Sequence, residues 1–274
     1  MRGVEKAARR GFSCLLSNGS ALDAVETAIR DLEDNSTFDA GIGSVLNAEG
    51  KIELDAAIMD GKFLKAGAVA AVREIRHPIS LARKVMENSP HVLLVGEGAN
   101  KFAKLQNFLS FHGLVVKREL DRWKRLRSKY VHTMQFSEEG ADTVGAVAMD
   151  VHGNIAAGTS TGGVPFKLPG RVADSSLIGC GLYADNNLGG VSATGYGEEI
   201  MRLVLSRVVC EHLEKGLNAQ ESAEKSIRLL KRKINGRAGV IVLDKKGEIG
   251  VSYSTPKMAR AFLTEGMNHP KSSI

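Results

Sequence analysis

The sequence predicts an α+β fold, on three observations. Two amphipathic helical patterns open the chain, strand-like runs joined by tight turns follow, and helix and strand do not alternate often enough for a βαβ barrel. Helix pairs and antiparallel hairpins around one core are the arrangement that fits.

The first helix is expected over residues 4–16. The second is marked by Ser20 with Asp23 three positions on, a capping pattern, and by the apolar spacing Leu22, Val25, Ala28, Ile29 and Leu32. From Gly41 the runs become strand-like: 44–47 and 51–58 are expected to meet across Ala48-Glu49-Gly50. Residues 68–72 and 91–95 read as buried strands, and 78–86 and 98–105 as helices. Periodicity then fails over 109–141, an exposed connector in which a short helix at 121–129 is allowed. Order returns with a hairpin, 144–149 and 155–158, around His152-Gly153-Asn154. Residues 176–183 and 190–193 continue as strands, 198–213 and 219–233 as helices, and 239–243 with 249–253 as a closing hairpin.

Composition narrows the class. The 274 residues suit a single large domain, 1–274, and 43% hydrophobic with 25% charged residues excludes disorder, collagen and coiled coil. The densest apolar stretches, 66–72 and 92–95, fall far short of the roughly 18 residues of a membrane span. Basic residues stand where a signal peptide would be apolar, so the chain reads as soluble and cytoplasmic. Cys14, Cys180 and Cys210 are an odd count without CxxC spacing and read as small buried apolar side chains.

Several motifs give way to plainer readings. Gly158-Thr159-Ser160-Thr161-Gly162 matches a nucleophile-elbow pattern, but Pro165 and Pro169 prevent the helix that must follow. The basic residues of the connector, Lys117 to Lys129, lack an aromatic stacking register and are interrupted by Glu119 and Asp121, so no nucleic acid is expected as a partner. The histidines are scattered, without metal spacing.

The junction Gly140-Ala141-Asp142-Thr143-Val144-Gly145 is different. There an irregular stretch meets a buried strand at a threonine. Cutting the Asp142 to Thr143 bond would leave a hydroxyl and a new α-amine on one residue, and the reference pKa of that amine is about 7.7 to 8.0. Such an amine can act as base for its own nucleophile.

From Ser20 to about Glu265 the sequence resembles the plant-type asparaginase and isoaspartyl aminopeptidase family of N-terminal-nucleophile hydrolases, to which the glycosylasparaginases are related. The likeness is carried, in order, by SALDAVETAIRDLED, FDAGIGSVLNAEGKIELDAAIMDG, ISLARKVMENSPHVLLVGEGA, DTVGAVAMDVHGNIAAGTSTGG, KLPGRVADSSLIGCGLYAD and VSATGYGEE. It implies that Thr143 cuts the chain into 1–142 and 143–274 and becomes the catalytic N-terminus. It further implies that Thr161 tunes the nucleophile, that Arg171 and Asp174 hold the substrate's α-carboxylate and α-amine, and that Thr194 and the Gly195 N–H form an oxyanion hole. A structural sodium ion is implied on the backbone carbonyls of Leu32, Glu33, Asn35, Phe38, Ala40 and Ile42. No cofactor is implied for catalysis. The implied architecture is a four-layer αββα sandwich, assembled as a dimer of cleaved αβ heterodimers and acting on asparagine and β-aspartyl dipeptides.

The sequence departs from that pattern in places. Family members usually begin with a strand ending in His-Gly-Gly-Ala-Gly, whereas this sequence starts at the first helix, so a sheet lacking that strand is expected. Asp142 stands where the asparaginase branch has Gly and resembles the glycosylasparaginase branch. Asp39 replaces a common Asn, and Ala173 replaces a Gly, which requires a negative φ there. Two alternatives stay open: a glycosylasparaginase, and an unprocessed, inactive relative with a binding or structural role.

Overall fold

The computed structural model describes residues 1–130 and 143–274, and the fold is mixed α+β. Helices α1 (Arg2–Leu16) and α2 (Ala21–Glu33) open it. The Ser20 hydroxyl accepts the Asp23 N–H at 3.2 Å while the Asp23 carboxylate accepts the Ser20 N–H at 3.0 Å, so two otherwise orphaned donors of α2 are satisfied locally. Strands β1 (Leu54–Asp60) and β2 (Lys65–Val72), helix α3 (Pro78–Asn88), β3 (Leu93–Val95), α4 (Gly96–Leu105) and α5 (Lys117–Tyr130) follow. After them come β4 (Val144–Met149), β5 (Ile155–Thr161), β6 (Leu182–Asp185) and β7 (Gly189–Gly195). Helices α6 (Gly197–Leu203), α7 (Leu205–Glu214) and α8 (Ala219–Ile234), then β8 (Ala238–Asp244), β9 (Ile249–Tyr253), β10 (Arg260–Phe262) and β11 (Lys271–Ser273), complete the chain. The strands form a sheet of order β3-β2-β1-β5-β4, a second of order β6-β7-β8-β9, and a β10-β11 ribbon.

Side chains alternate along each strand, and that alternation builds three apolar seams. On β1, Ala56 and Ile58 pack with Val25 and Ile29 of α2 and with Leu81 and Val85 of α3. The intervening Ala57 and Met59 pack with Leu182 and Ala184 of the second sheet. On the second sheet Val191, Ala193, Val240 and Val242 meet Val209 and Cys210 of α7 and Ala223, Ile227 and Leu230 of α8. The sheets approach closely where glycine permits it: a Cβ on Gly190 would stand 2.5 Å from the Val147 Cγ1, and one on Gly145 would collide with the Ser192 hydroxyl.

Local expectations change in several places: β3 is not buried, with Val95 53% exposed, and Cys14 is only partly buried. Residues 44–47 are not a strand, although the Asn47 N–H donates to the Lys51 carbonyl at 2.8 Å and closes the expected turn. Residues 176–183 are not one strand: Asp174–Ser176 form a 3-10 turn, and Gly179, at φ +89°, bends the chain before β6 begins. The helix expected over 198–213 breaks at Val204, whose φ of 53° lies in the left-handed region. Within the connector, α5 runs over fourteen residues, and its Leu120 and Trp123 pack on the core while the Trp123 indole donates to the Asn47 carbonyl at 2.9 Å. The remainder of the connector, 131–141, and the cleavage residue Asp142 lie outside the described residues. Among the described residues no helix is long and apolar enough to cross a membrane.

Candidate active site

Strand register gathers the threonines. Val144 pairs with Ser160 across β4 and β5, so Thr143, one residue earlier, stands level with Thr161 at the end of β5. On the other side of β5, Thr161 pairs with Asp55 of β1. Contacts between the sheets step in twos, Gly190 over Val147 and Ser192 over Gly145; Thr194 lies two residues beyond Ser192 on β7, and Thr143 two before Gly145. Thr159 and Thr161 share the face of β5 that looks toward the second sheet, while Ser160 points to the helices and donates to the Glu33 carboxylate at 2.7 Å.

The half-buried Thr143 has its hydroxyl 3.4 Å from that of Ser175, at the long end of hydrogen-bond range. Ser175 is fully buried, and its carbonyl accepts the Thr159 hydroxyl at 2.6 Å, which fixes the 3-10 turn against β5. The Thr161 oxygen accepts the Gly163 N–H at 2.9 Å. Gly195, at the end of β7, has a φ of +137°, and a Cβ there would stand 2.6 Å from the Ala238 Cα, so the backbone can take this path only with glycine.

Arg171 sits on the loop between β5 and the 3-10 turn, and Asp174 opens that turn; the loop is anchored by Glu53 and Lys167. The Glu53 carboxylate accepts the Gly170 N–H at 2.9 Å and an Arg73 guanidinium N–H at 2.5 Å. Burial opposes ionisation of Glu53, but Arg73, the Gly170 N–H and Asn47 together hold its carboxyl below the usual range. Lys167 is 2% exposed, and its ammonium donates to the Glu53 carbonyl at 2.9 Å. Its charge also acts on Asp55, whose carboxyl is pushed up by burial against the pull of Lys167, the Ala71 N–H and Arg171.

Asp174 is buried, and burial pushes its carboxyl up to about 7, against the pull of Arg171 and with Glu198 and Asp55 adding to the rise. Its Oδ2 is buried with no hydrogen-bond partner among the described residues. A buried acceptor left in this state is costly unless a ligand donor reaches it. Ala173 has a φ of −119°, so its side chain meets the backbone requirement without strain.

The carbonyls of Leu32, Glu33, Asn35, Phe38, Ala40 and Ile42 belong to the end of α2 and the loop that folds back on it. The Ile42 N–H donates to the Glu33 carbonyl at 2.8 Å, and Gly41, at φ +53°, makes the return. Leu32 and Asn35 accept backbone N–H groups at 3.1 and 3.0 Å, and each carbonyl keeps a second lone pair. This all-oxygen donor set fits a hard monovalent cation. Asp39, on the same loop, accepts the Val45 N–H at 2.9 Å through its side chain and the Gly162 N–H at 2.9 Å through its carbonyl, which ties the loop to the end of β5.

Sequence reasoning missed Ser175, Asp55, Lys167 and Glu198. Ser175 and Lys167 lie inside the segment KLPGRVADSS, next to residues that were selected. The burial of Lys167 has no local signal, since lysine is ordinarily exposed.

The chain is mixed α+β, with Thr143 and Thr161 level at the ends of neighbouring strands and Ser175, next to Asp174, against Thr143. Residues 1–270 match the family described as Asparaginase, and the chain belongs to that family. It is 45% identical over 269 residues to an isoaspartyl peptidase/L-asparaginase of Xenopus laevis, covering 97% of this chain and 87% of that protein. It is 43% identical over 270 residues to the one from Bos taurus, covering 98% and 88%. A plant-type L-asparaginase of Pyrococcus furiosus is 44% identical over 288 aligned positions, covering 100% of this chain and 93% of that protein.

Proposed function

We propose that this protein is an amidohydrolase that releases aspartate from β-aspartyl dipeptides and ammonia from L-asparagine, with Thr143 as its nucleophile after self-cleavage at Asp142–Thr143. The names of its relatives support the substrates. One observation above all supports the machinery: Thr143 stands level with Thr161, its hydroxyl 3.4 Å from that of Ser175, next to Asp174 with its orphaned oxygen.

The chemistry follows from those groups. The α-amine of Thr143 takes the proton of its own hydroxyl, and the oxygen attacks the substrate's side-chain carbonyl carbon. The Thr194 hydroxyl and the Gly195 N–H stabilise the oxyanion, each such donor contributing on the order of 3 kcal/mol. The carbon–nitrogen bond breaks, the amine leaves with the proton, and a β-aspartyl ester on Thr143 results. Water, deprotonated by the same amine, hydrolyses the ester and frees aspartate. Thr161 tunes the nucleophile, Arg171 matches the α-carboxylate, and Asp174 matches the α-ammonium.

The same reading includes a structural sodium ion on the 32–42 loop, which would stiffen the segment carrying Asp39. It also includes the αββα order of layers, supported by the three seams, an assembly of two αβ heterodimers, and a cytoplasmic location. Asp142 favours glycosylasparaginase activity as a second reading, and release of aspartate from its N-acetylglucosamine conjugate discriminates it.

Intact-mass measurement tests the proposal. Purified protein is expected as two chains, 1–142 and 143–274, and Thr143→Ala as one chain without turnover. A wild-type chain that stays whole after prolonged incubation, or turnover that survives in Thr143→Ala, refutes it.

A further inference from the structure

Arg171 is not alone in its pocket. Its Nε donates to Glu198 Oε1 at 2.8 Å and its Nη2 to Oε2 at 2.7 Å, a two-pronged ion pair with a residue in the first turn of α6. The Arg171 side chain is 13% exposed and that of Glu198 59% exposed. Burial opposes ionisation of Glu198, yet the Arg171 hydrogen bonds and charge hold its carboxyl below the usual range. A guanidinium offers five N–H donors along two bidentate edges, and Glu198 occupies only the Nε/Nη2 edge.

The other edge looks elsewhere. A Cβ on Gly163, two residues beyond Thr161, would stand 3.2 Å from Arg171 Nη1 and 3.0 Å from the Lys167 ammonium, so two cations converge on this glycine. On the Glu198 side, a Cβ on Gly197 would stand 3.3 Å from Nη2 and 2.7 Å from Asp174 Oδ1. The first turn of α6 therefore lies against both residues assigned to the substrate's amino-acid end.

We infer that Glu198 is a positioning residue for substrate recognition: it clamps Arg171 by the Nε/Nη2 edge and so presents the Nη1 edge, beside Gly163 and Lys167, to the α-carboxylate. The inference rests on the function proposed above and deepens it. A carboxylate competing for the same edge would weaken substrate binding; one that holds the opposite edge strengthens it by fixing a side chain otherwise free to rotate. Because the Glu198 side chain is more than half exposed, the pair itself adds little to stability, and its loss is read in binding.

The test compares wild type with Glu198→Gln and Glu198→Ala, by calorimetric titration of the product L-aspartate and by turnover of L-asparagine. Both variants are expected to bind aspartate about tenfold more weakly, with a matching rise in KM, a kcat within about threefold of wild type and an unchanged melting midpoint. Equal or tighter aspartate binding overturns the clamp, as does a loss confined to kcat. A wild type that binds aspartate without turning over asparagine defeats the proposed function while the clamp is judged on affinity. A wild type that does neither overturns both.

Discussion

Replacing Lys167 with Met removes a buried ammonium while keeping much of the side-chain volume. In the structure Lys167 is 2% exposed and Asp55 is fully buried, and the Lys167 ammonium also satisfies the Glu53 carbonyl at 2.9 Å. Leaving the buried Glu53 carbonyl without its donor, and Asp55 without the attraction of the Lys167 charge, is expected to cost about 1–3 kcal/mol. The cost depends on pH. Asp55, already pushed up by burial, is pushed further in the variant and escapes the penalty by binding a proton. A carboxyl raised in the folded state favours folding in acid, and that contribution is lost as pH rises through the folded value, so the penalty is larger near about pH 8 than near about pH 5. Urea titration followed by the fluorescence of Trp123, the single tryptophan, in a Thr143→Ala background measures it on one covalent chain. Asp55→Asn added to Lys167→Met is expected to recover part of the loss. A loss below about 1 kcal/mol, the same loss at both pH values, or strict additivity of the two substitutions refutes the electrostatic coupling.

Two further outcomes follow from the same geometry. Asp174, pushed up to about 7 by burial, must be ionised to hold the substrate ammonium, so KM is expected to rise as pH falls below about 7, and Asp174→Asn to abolish that dependence; a wild-type KM flat across this range counts against its role. Gly145→Ala forces a methyl group into the Ser192 hydroxyl and is expected to cost about 1–3 kcal/mol in thermal unfolding, partly restored by Ser192→Ala. An unchanged melting midpoint would show that the sheets do not meet there.

Much of the fold was legible because its signals are local. The Ser20 and Asp23 cap, the apolar spacing of α2, the β4–β5 turn and the β8–β9 hairpin all lie within a few residues of the atoms they organise. The errors fell where distant atoms decide. Gly179 and Val204 take left-handed φ values inside segments whose apolar pattern reads as unbroken strand and helix. The candidate site residues came from resemblance to a family, since no periodicity singles out Arg171 or Thr194. Ser175 and Glu198 were passed over because a serine after an aspartate and a glutamate in a first helical turn are ordinary locally.

By itself, the sequence determined most of the elements and their order, because capping, periodicity and turn chemistry act between near neighbours. Tertiary structure alone decided that Thr143 stands level with Thr161, that Lys167 lies buried with its ammonium on the Glu53 carbonyl, and that Arg171 is gripped by Glu198. Those pairings join residues far apart along the chain, and the free energy that enforces them comes from burial and sheet register, which are properties of the packed molecule and of no short segment within it.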